Sequence, residues 1–207
     1  MRLAIFGATG GTGLEVTRQA LERGHSVRVL VRNPNRMPLV NENMRLVLGN
    51  VLERESVTKT ILGSDAVINC LGQASLTHNM GVVSEGTRMI VEVMKQQGVR
   101  RLVITSSFGV GESRQKAAWW QRMVFSTLLR APYADKEIME PEVRASGLEW
   151  TLLRPVGLTN GPLTRRYRIT HETPRKIQIS RADVAEAILD AVEKRLWVGE
   201  APTLEAE

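Results

Sequence analysis

The chain is poor in aromatic residues: three Phe, four Trp and two Tyr among 207 residues. They follow no stacking pattern and no nucleic-acid recognition motif accompanies them, which argues against a nucleic-acid platform. There is one cysteine, so no internal disulfide can form. Cys70 lies in an apolar run and reads as a buried thiol. The three histidines have no ligand spacing with Cys70, so no metal site is legible. No apolar run approaches the ~18 residues that would span a bilayer. A charged segment followed by an apolar one is missing near Met1. The expectation is therefore a chain without signal peptide or transmembrane segment, in the cytoplasm.

What is present is a net charge of +6 with 43% hydrophobic residues. The excess positive charge favours an anionic partner, and without a nucleic-acid motif a small molecule fits best. Strand-like and helix-like segments alternate. The expected strands are 2–6, 26–32, 44–49, 66–72, 101–107 and 150–154, with a short one at 177–179. The expected helices are 12–23, 55–62, one capped by Ser84 and ending at Gly98, 134–145, and one opened by Ser180 and Asp183. Residues 200–207 read as a frayed tail. This order predicts a doubly wound, Rossmann-like α/β fold, its sheet mostly parallel with helices on both faces. A single domain over 1–207 is expected, with substrate-side loops near 73–83, 108–132 and 157–176.

The most informative stretch is residues 2–13. A short apolar run ends in Gly7, Gly10 and Gly13, and a helical segment follows at once. Gly7 permits a tight turn, Gly10 lets backbone approach a pyrophosphate, and Gly13 lets the helix lie close to the strand. In a doubly wound sheet the ligand lies beyond the carboxyl ends of the strands, so residues there become candidates. After the second strand stands Arg32 rather than an acid, followed by Asn33 and Arg36. Forked guanidiniums suit a 2′-phosphate, which points to NADP(H). Asn50 and Val51 are placed to meet the adenine. Leu71 and Gly72 end the fourth strand, where a missing side chain admits the cofactor.

The segments 7–13 (Gly-Ala-Thr-Gly-Gly-Thr-Gly), 29–32 (Val-Leu-Val-Arg), 49–52 (Gly-Asn-Val-Leu), 84–86 (Ser-Glu-Gly), 105–107 (Thr-Ser-Ser) and 161–164 (Gly-Pro-Leu-Thr) carry a resemblance. In this order they are similar to the atypical short-chain dehydrogenase/reductases with NAD(P)-binding Rossmann domains. Within these, the chain resembles the biliverdin reductase B, or NADPH-dependent flavin reductase, group. The resemblance covers nearly the whole chain, apart from an enlarged segment between Ser107 and Tyr133. It implies NADPH as donor and a flavin or bilin as acceptor. It assigns the pyrophosphate to Thr9, Gly10, Gly11 and Thr12, and the 2′-phosphate to Arg32 and Arg36. Asn50, where the family usually has Asp, and Val51 would flank the adenine, with Leu71 and Gly72 along the cofactor. Thr105, Ser107, Pro155, Val156 and Gly157 fall at the nicotinamide. Ser107 matches the family's active-site serine. Gly157 stands where the family's reductase has a histidine. Lys136 would hold the nicotinamide ribose.

Ordinary short-chain dehydrogenases pair Tyr with Lys four residues on; here Tyr133 and Lys136 are three apart, which disfavours that pair. Ser107 either orients the acceptor or nicotinamide, or is an internal strand-end hydroxyl. Residues 115–130, with Trp119 and Trp120, read as a helix on the domain, a lid over a planar substrate, or a surface contact. Arg165, Arg166 and Arg168 form either an anion site for the substrate or a solvated loop. His25 reads as a solvated turn residue, and His78 and His171 read as surface residues or as residues bordering the substrate. Met80 and Met89 read as core. Two functions stay open: an NADPH-dependent reductase acting as a monomer, or a non-enzymatic NADP(H)-binding sensor or assembly protein.

Overall fold

The computed structural model describes residues 1–72, 81–127 and 130–207, the side chains at 124–126 excepted. His78 and Met80 lie outside the described residues, as does most of the expected loop at 73–83.

Ten strands are formed: β1 (Arg2–Phe6), β2 (Ser26–Val31), β3 (Met44–Leu48), β4 (Ala66–Asn69), β5 (Arg101–Thr105), β6 (Glu149–Pro155), β7 (Gly157–Thr159), β8 (Tyr167–Thr170), β9 (Gln178–Ser180) and β10 (Thr203–Ala206). Six helices join them: α1 (Gly11–Glu22), α2 (Arg54–Ile61), α3 (Val82–Gln97), α4 (Trp119–Thr127), α5 (Arg130–Arg144) and α6 (Arg181–Glu193). Eight strands make one sheet in the order β3-β2-β1-β4-β5-β6-β10-β8, and β7 pairs with β9 separately. Within the large sheet every pairing is parallel except β10 with β8. The chain winds outward from β1 in one direction and from β4 in the other, leaving a crevice above their carboxyl ends.

The period-two alternation of buried strands divides the core between two faces. Leu3 and Ile5 of β1 join Val27, Val29, Ile68 and Val103 beneath α1 and α6. Ala4 and Phe6 join Val67, Leu102 and Ile104 beneath α2, α3 and α5. A parallel sheet with both faces covered is the expected outcome for such continuous apolar runs.

Several expectations need correction. The tail at 200–207 is not frayed: β10 is inserted between β6 and β8, and Glu205 within it is fully buried against Arg168. That ion pair hides a strand whose sequence looks too polar for a core. β8 went unread for the same reason, so the loop expected at 157–176 contains two strands, β7 and β8. The segment 108–132 likewise holds a 3-10 turn at Gly111–Lys116, α4 and the start of α5. Ser84 is not the cap of α3. Gly81 occupies that position in a left-handed conformation, φ +93°, and Asp135 of α5 accepts from the N–H groups of Val83 and Ser84 at 2.9 and 3.0 Å. His25 is buried rather than solvated, with its ring 2.6 Å from Glu193 of α6. Ser180 does cap α6, accepting from Asp183 N–H at 3.0 Å.

Candidate functional site

The glycine turn joins β1 to α1 at the crevice. Gly7 has φ +75°, and a Cβ there would stand 2.4 Å from the Cys70 carbonyl oxygen. At Gly13 a Cβ would stand 2.1 Å from the Gly7 carbonyl oxygen. Both contacts are with backbone, so no side chain fits at either position and the turn is forced close to β4. Gly10 is the N-cap of α1 and carries no side-chain cap. The first N–H groups of α1 therefore face outward beside Thr9, Gly11 and Thr12, as an anion site at a helix start requires. The cradle fits a pyrophosphate.

Arg32 follows β2 directly, and Arg36 ends a 3-10 turn at Pro34–Arg36 whose Asn33 cap accepts from Asn35 N–H at 3.0 Å. Both arginines are exposed, and neither has an acidic partner among the described residues. Two guanidiniums without counter-charge suit the chemistry of a phosphate monoester.

Asn50 holds its own turn, its side-chain oxygen accepting from Leu52 N–H at 3.2 Å. Val51 and Leu71 meet over α3 because Gly86 leaves room. A Cβ at Gly86 would lie 2.8 Å from one Val51 methyl and 3.2 Å from a Leu71 methyl. That explains the glycine of the Ser-Glu-Gly segment. Leu71 and Gly72 lie just past β4 rather than within it. Among the described residues, nothing lies within 4 Å of the position of a Gly72 Cβ.

At the other end of the crevice the backbone from Ser106 to Phe108 forms a ledge. Ser106 N–H donates to Leu153 O at 2.7 Å, and Phe108 N–H to Pro155 O at 3.0 Å. Lys136 of α5 donates to Ser107 Oγ at 2.6 Å and to Ser106 O at 3.0 Å. Burial pulls the Lys136 ammonium down to about 8. An ammonium carries three N–H donors, so one remains after these two bonds. Tyr133 takes no part in a pair with Lys136: its hydroxyl donates to Phe108 O at 2.8 Å, and burial pushes its pKa up to about 12. Beneath the ledge, Thr105 Oγ1 lies 3.5 Å from Cys70 Sγ. Pro155 and Val156 are buried, while Gly157 is exposed. A Cβ at Gly157 would stand 2.8 Å from Ile177 O, so this backbone has no room for a histidine.

Sequence reasoning missed the ion pair that supports the ledge. Ser106 Oγ donates to Glu140 at 2.6 Å, and Glu140 pairs with Arg154, both side chains almost fully buried. Arg154 also reaches Glu112 at 2.9 Å. Glu140 lies one helical turn beyond Lys136, a spacing visible in the sequence. Its distant partner in β6 was not. The arginine cluster is largely neutralised: Arg165 pairs with Glu186 at 3.1 Å and Arg168 with Glu205, leaving Arg166 exposed. Thr164 of the Gly-Pro-Leu-Thr segment ties its loop to α6 through Asp183, at 2.8 Å from both its N–H and its hydroxyl. His171 is exposed and 3.0 Å from Glu200. Met89 packs against the α3 side of the core. Trp119, Trp120 and Met123 of α4 are exposed. Among the described residues, no group of acids, histidines or cysteine has metal-site geometry, and no helix is long and apolar enough to cross a membrane.

Comparison with known proteins agrees with this architecture. An Arabidopsis thaliana protein described as an uncharacterized chloroplastic protein is 28% identical over 92% of this chain and 71% of its own length. Among solved structures, ChuY, described as an anaerobilin reductase from Escherichia coli O157:H7, superposes with TM-score 0.84 at 19% identity, covering 100% of this chain and 97% of that one. A short-chain dehydrogenase/reductase from Veillonella parvula, solved in complex with NADP, gives TM-score 0.81 at 18% identity over 99% of this chain and 94% of its own. The model of the NAD(P)H-binding family matches residues 7–195, and the chain belongs to that family.

Proposed function

We propose that this protein is an NADPH-dependent reductase that passes a hydride to a flat conjugated acceptor, a flavin or a linear tetrapyrrole. One observation carries the reading: Tyr133 and Lys136, the two groups that would form a Tyr–Lys proton donor, are each hydrogen-bonded to the ledge. Tyr133 is turned onto Phe108 O, and Lys136 onto the Ser107 ledge. Carbonyl reduction needs a proton delivered at the reacting oxygen. A conjugated, electron-poor ring accepts hydride at one atom, and solvent water protonates another. Positioning then supplies most of the rate.

NADPH, when bound, supplies the hydride from its nicotinamide. The chain's residues do the holding. The α1 start and Gly7–Gly13 take the pyrophosphate, and Arg32 and Arg36 take the 2′-phosphate. Asn50, Val51, Leu71 and Gly72 line the adenosine side. The remaining Lys136 N–H would be left to bind a ribose hydroxyl. Ser107, fixed by Lys136, orients the reacting rings, while Thr105, Pro155, Val156 and Gly157 form their bed. The likeness to a structure described as an anaerobilin reductase supports a tetrapyrrole acceptor, as does the resemblance to the biliverdin reductase B group.

The test mixes the protein with NADPH and FMN, FAD, biliverdin or a simple ketone, and follows nicotinamide absorbance. Flavin or biliverdin should consume NADPH and the ketone should not. Ser107→Ala should lower kcat by up to about a hundredfold, the cost of misplacing a reacting group. Absence of oxidation with every acceptor would instead leave a non-enzymatic NADP(H)-binding protein.

A further inference from the structure

Arg181 is a cation bordering the glycine turn that its place in the sequence does not connect with it. It opens α6, directly after the Ser180 cap. Its side chain lies flat over the start of α1. A Cβ on Gly11 would stand 2.7 Å from Arg181 Cδ and 2.8 Å from its Nε. With glycine at position 11, an arginine from the far end of the chain crosses the start of α1 in close contact. The guanidinium continues to Asn160, just past β7, donating to the side-chain oxygen at 2.6 Å.

No acid among the described residues pairs with Arg181. The nearest in its own helix, Asp183, is fully engaged by Ser180 Oγ, Thr164 N–H, Thr164 Oγ1 and Arg165 N–H. Glu186 is taken by Arg23 at 2.8 Å and Arg165 at 3.1 Å. A cation at the first position of a helix opposes that helix's own dipole, and here it faces the positive end of a second helix, α1. Such a placement is unfavourable unless an anion lies between.

We propose that Arg181 is a pyrophosphate-binding residue, closing the glycine turn from the side opposite its backbone N–H groups. Its contact with Asn160 then links the phosphates to the β7 strand that follows the nicotinamide bed. The inference rests on the cofactor reading above and adds to it a ligand from α6.

Equilibrium binding of three probes separates it from every other role. NADP⁺ carries both the pyrophosphate and the 2′-phosphate, NAD⁺ only the pyrophosphate, and adenosine 2′-monophosphate only the 2′-phosphate. Arg181→Met should weaken NADP⁺ and NAD⁺ equally, by about ten- to hundredfold, the size of one charge-assisted contact. It should leave adenosine 2′-monophosphate unchanged. Arg181→Lys, which keeps the charge and loses the fork, should fall between parent and Met. Arg32→Gln should show the reverse pattern, weakening NADP⁺ and adenosine 2′-monophosphate while sparing NAD⁺. Parent-like affinity of Arg181→Met for both dinucleotides overturns the proposal alone. Equal weakening of all three probes also overturns it, by assigning Arg181 to holding the turn's shape. A parent protein that binds neither dinucleotide overturns the cofactor reading with it.

Discussion

The two ends of the crevice are built on opposite plans. At the phosphate end, the backbone supplies a cradle and the surrounding cations are left without acids: Arg32, Arg36 and Arg181 pair with no carboxylate among the described residues. At the nicotinamide end, most polar groups already have partners within the protein, one Lys136 N–H excepted. Ser107 is held by Lys136, Tyr133 by Phe108 O, and Ser106 by Glu140 and Arg154. An end with unspent charge gains free energy when an anion arrives. An end with closed hydrogen bonds gains little from a polar ligand but keeps its shape. The contrast places affinity on the dinucleotide and leaves acceptor choice to fit against a rigid ledge.

Substitutions at each end can break this contrast. The largest effect is expected for Glu140→Ala. It leaves the Arg154 guanidinium, 2% exposed, with Glu112 as its remaining acid among the described residues. Loss of one partner of a buried pair costs about 3–5 kcal/mol, measurable by urea unfolding. Turnover should fall with it, while adenosine 2′-monophosphate binding in the surviving folded fraction should not change. Replacing both partners, as Glu140→Leu with Arg154→Met, should recover most of that loss. If the single substitution is silent, the ledge does not depend on its ion pair.

Next in size is the double variant Arg32→Gln, Arg36→Gln. It should raise the KM for NADPH by about tenfold to a hundredfold and leave that for NADH unchanged, from charge-assisted contacts worth ~1.5–3 kcal/mol. An equal rise for both cofactors would place the 2′-phosphate elsewhere.

The smallest effect concerns pH. Burial lowers Lys136 from its usual 10.5 to about 8. Between those values the unfolded chain holds a proton that the folded one has released, so this group makes stability rise with pH across that window. Lys136→Met should remove that rise, seen as a flatter difference in unfolding free energy between pH 8 and 10. An unchanged slope would mean that the ammonium is well solvated.

Much of the fold was legible because its signals are local. β1 to β5 are largely apolar runs, and the turn at Gly7–Gly13 announces its ligand through its glycines placed between a strand and a helix. What escaped depends on partners far apart in sequence. Glu205 looks like a solvated tail residue until Arg168, 37 positions earlier, is placed against it. His25 looks exposed until Glu193 arrives from α6, 168 positions later. Arg181 gives no hint of its place until α6 packs on α1. The site divides the same way. Glycines and strand ends could be listed by inspection, but whether Lys136 would meet Tyr133 or Ser107 depended on how α5 lies against β5.

Cys70 joins these two ends, and its setting has a practical consequence. Its carbonyl presses on Gly7, its thiol faces Thr105, and burial pushes that thiol up to about 11. Only a thiolate reacts with alkylating agents, so the closed protein should be labelled very slowly at neutral pH. The single thiol thus serves as a clock: its rate of modification measures how often β1 and β4 part, and a dinucleotide seated on the turn should make that clock run slower.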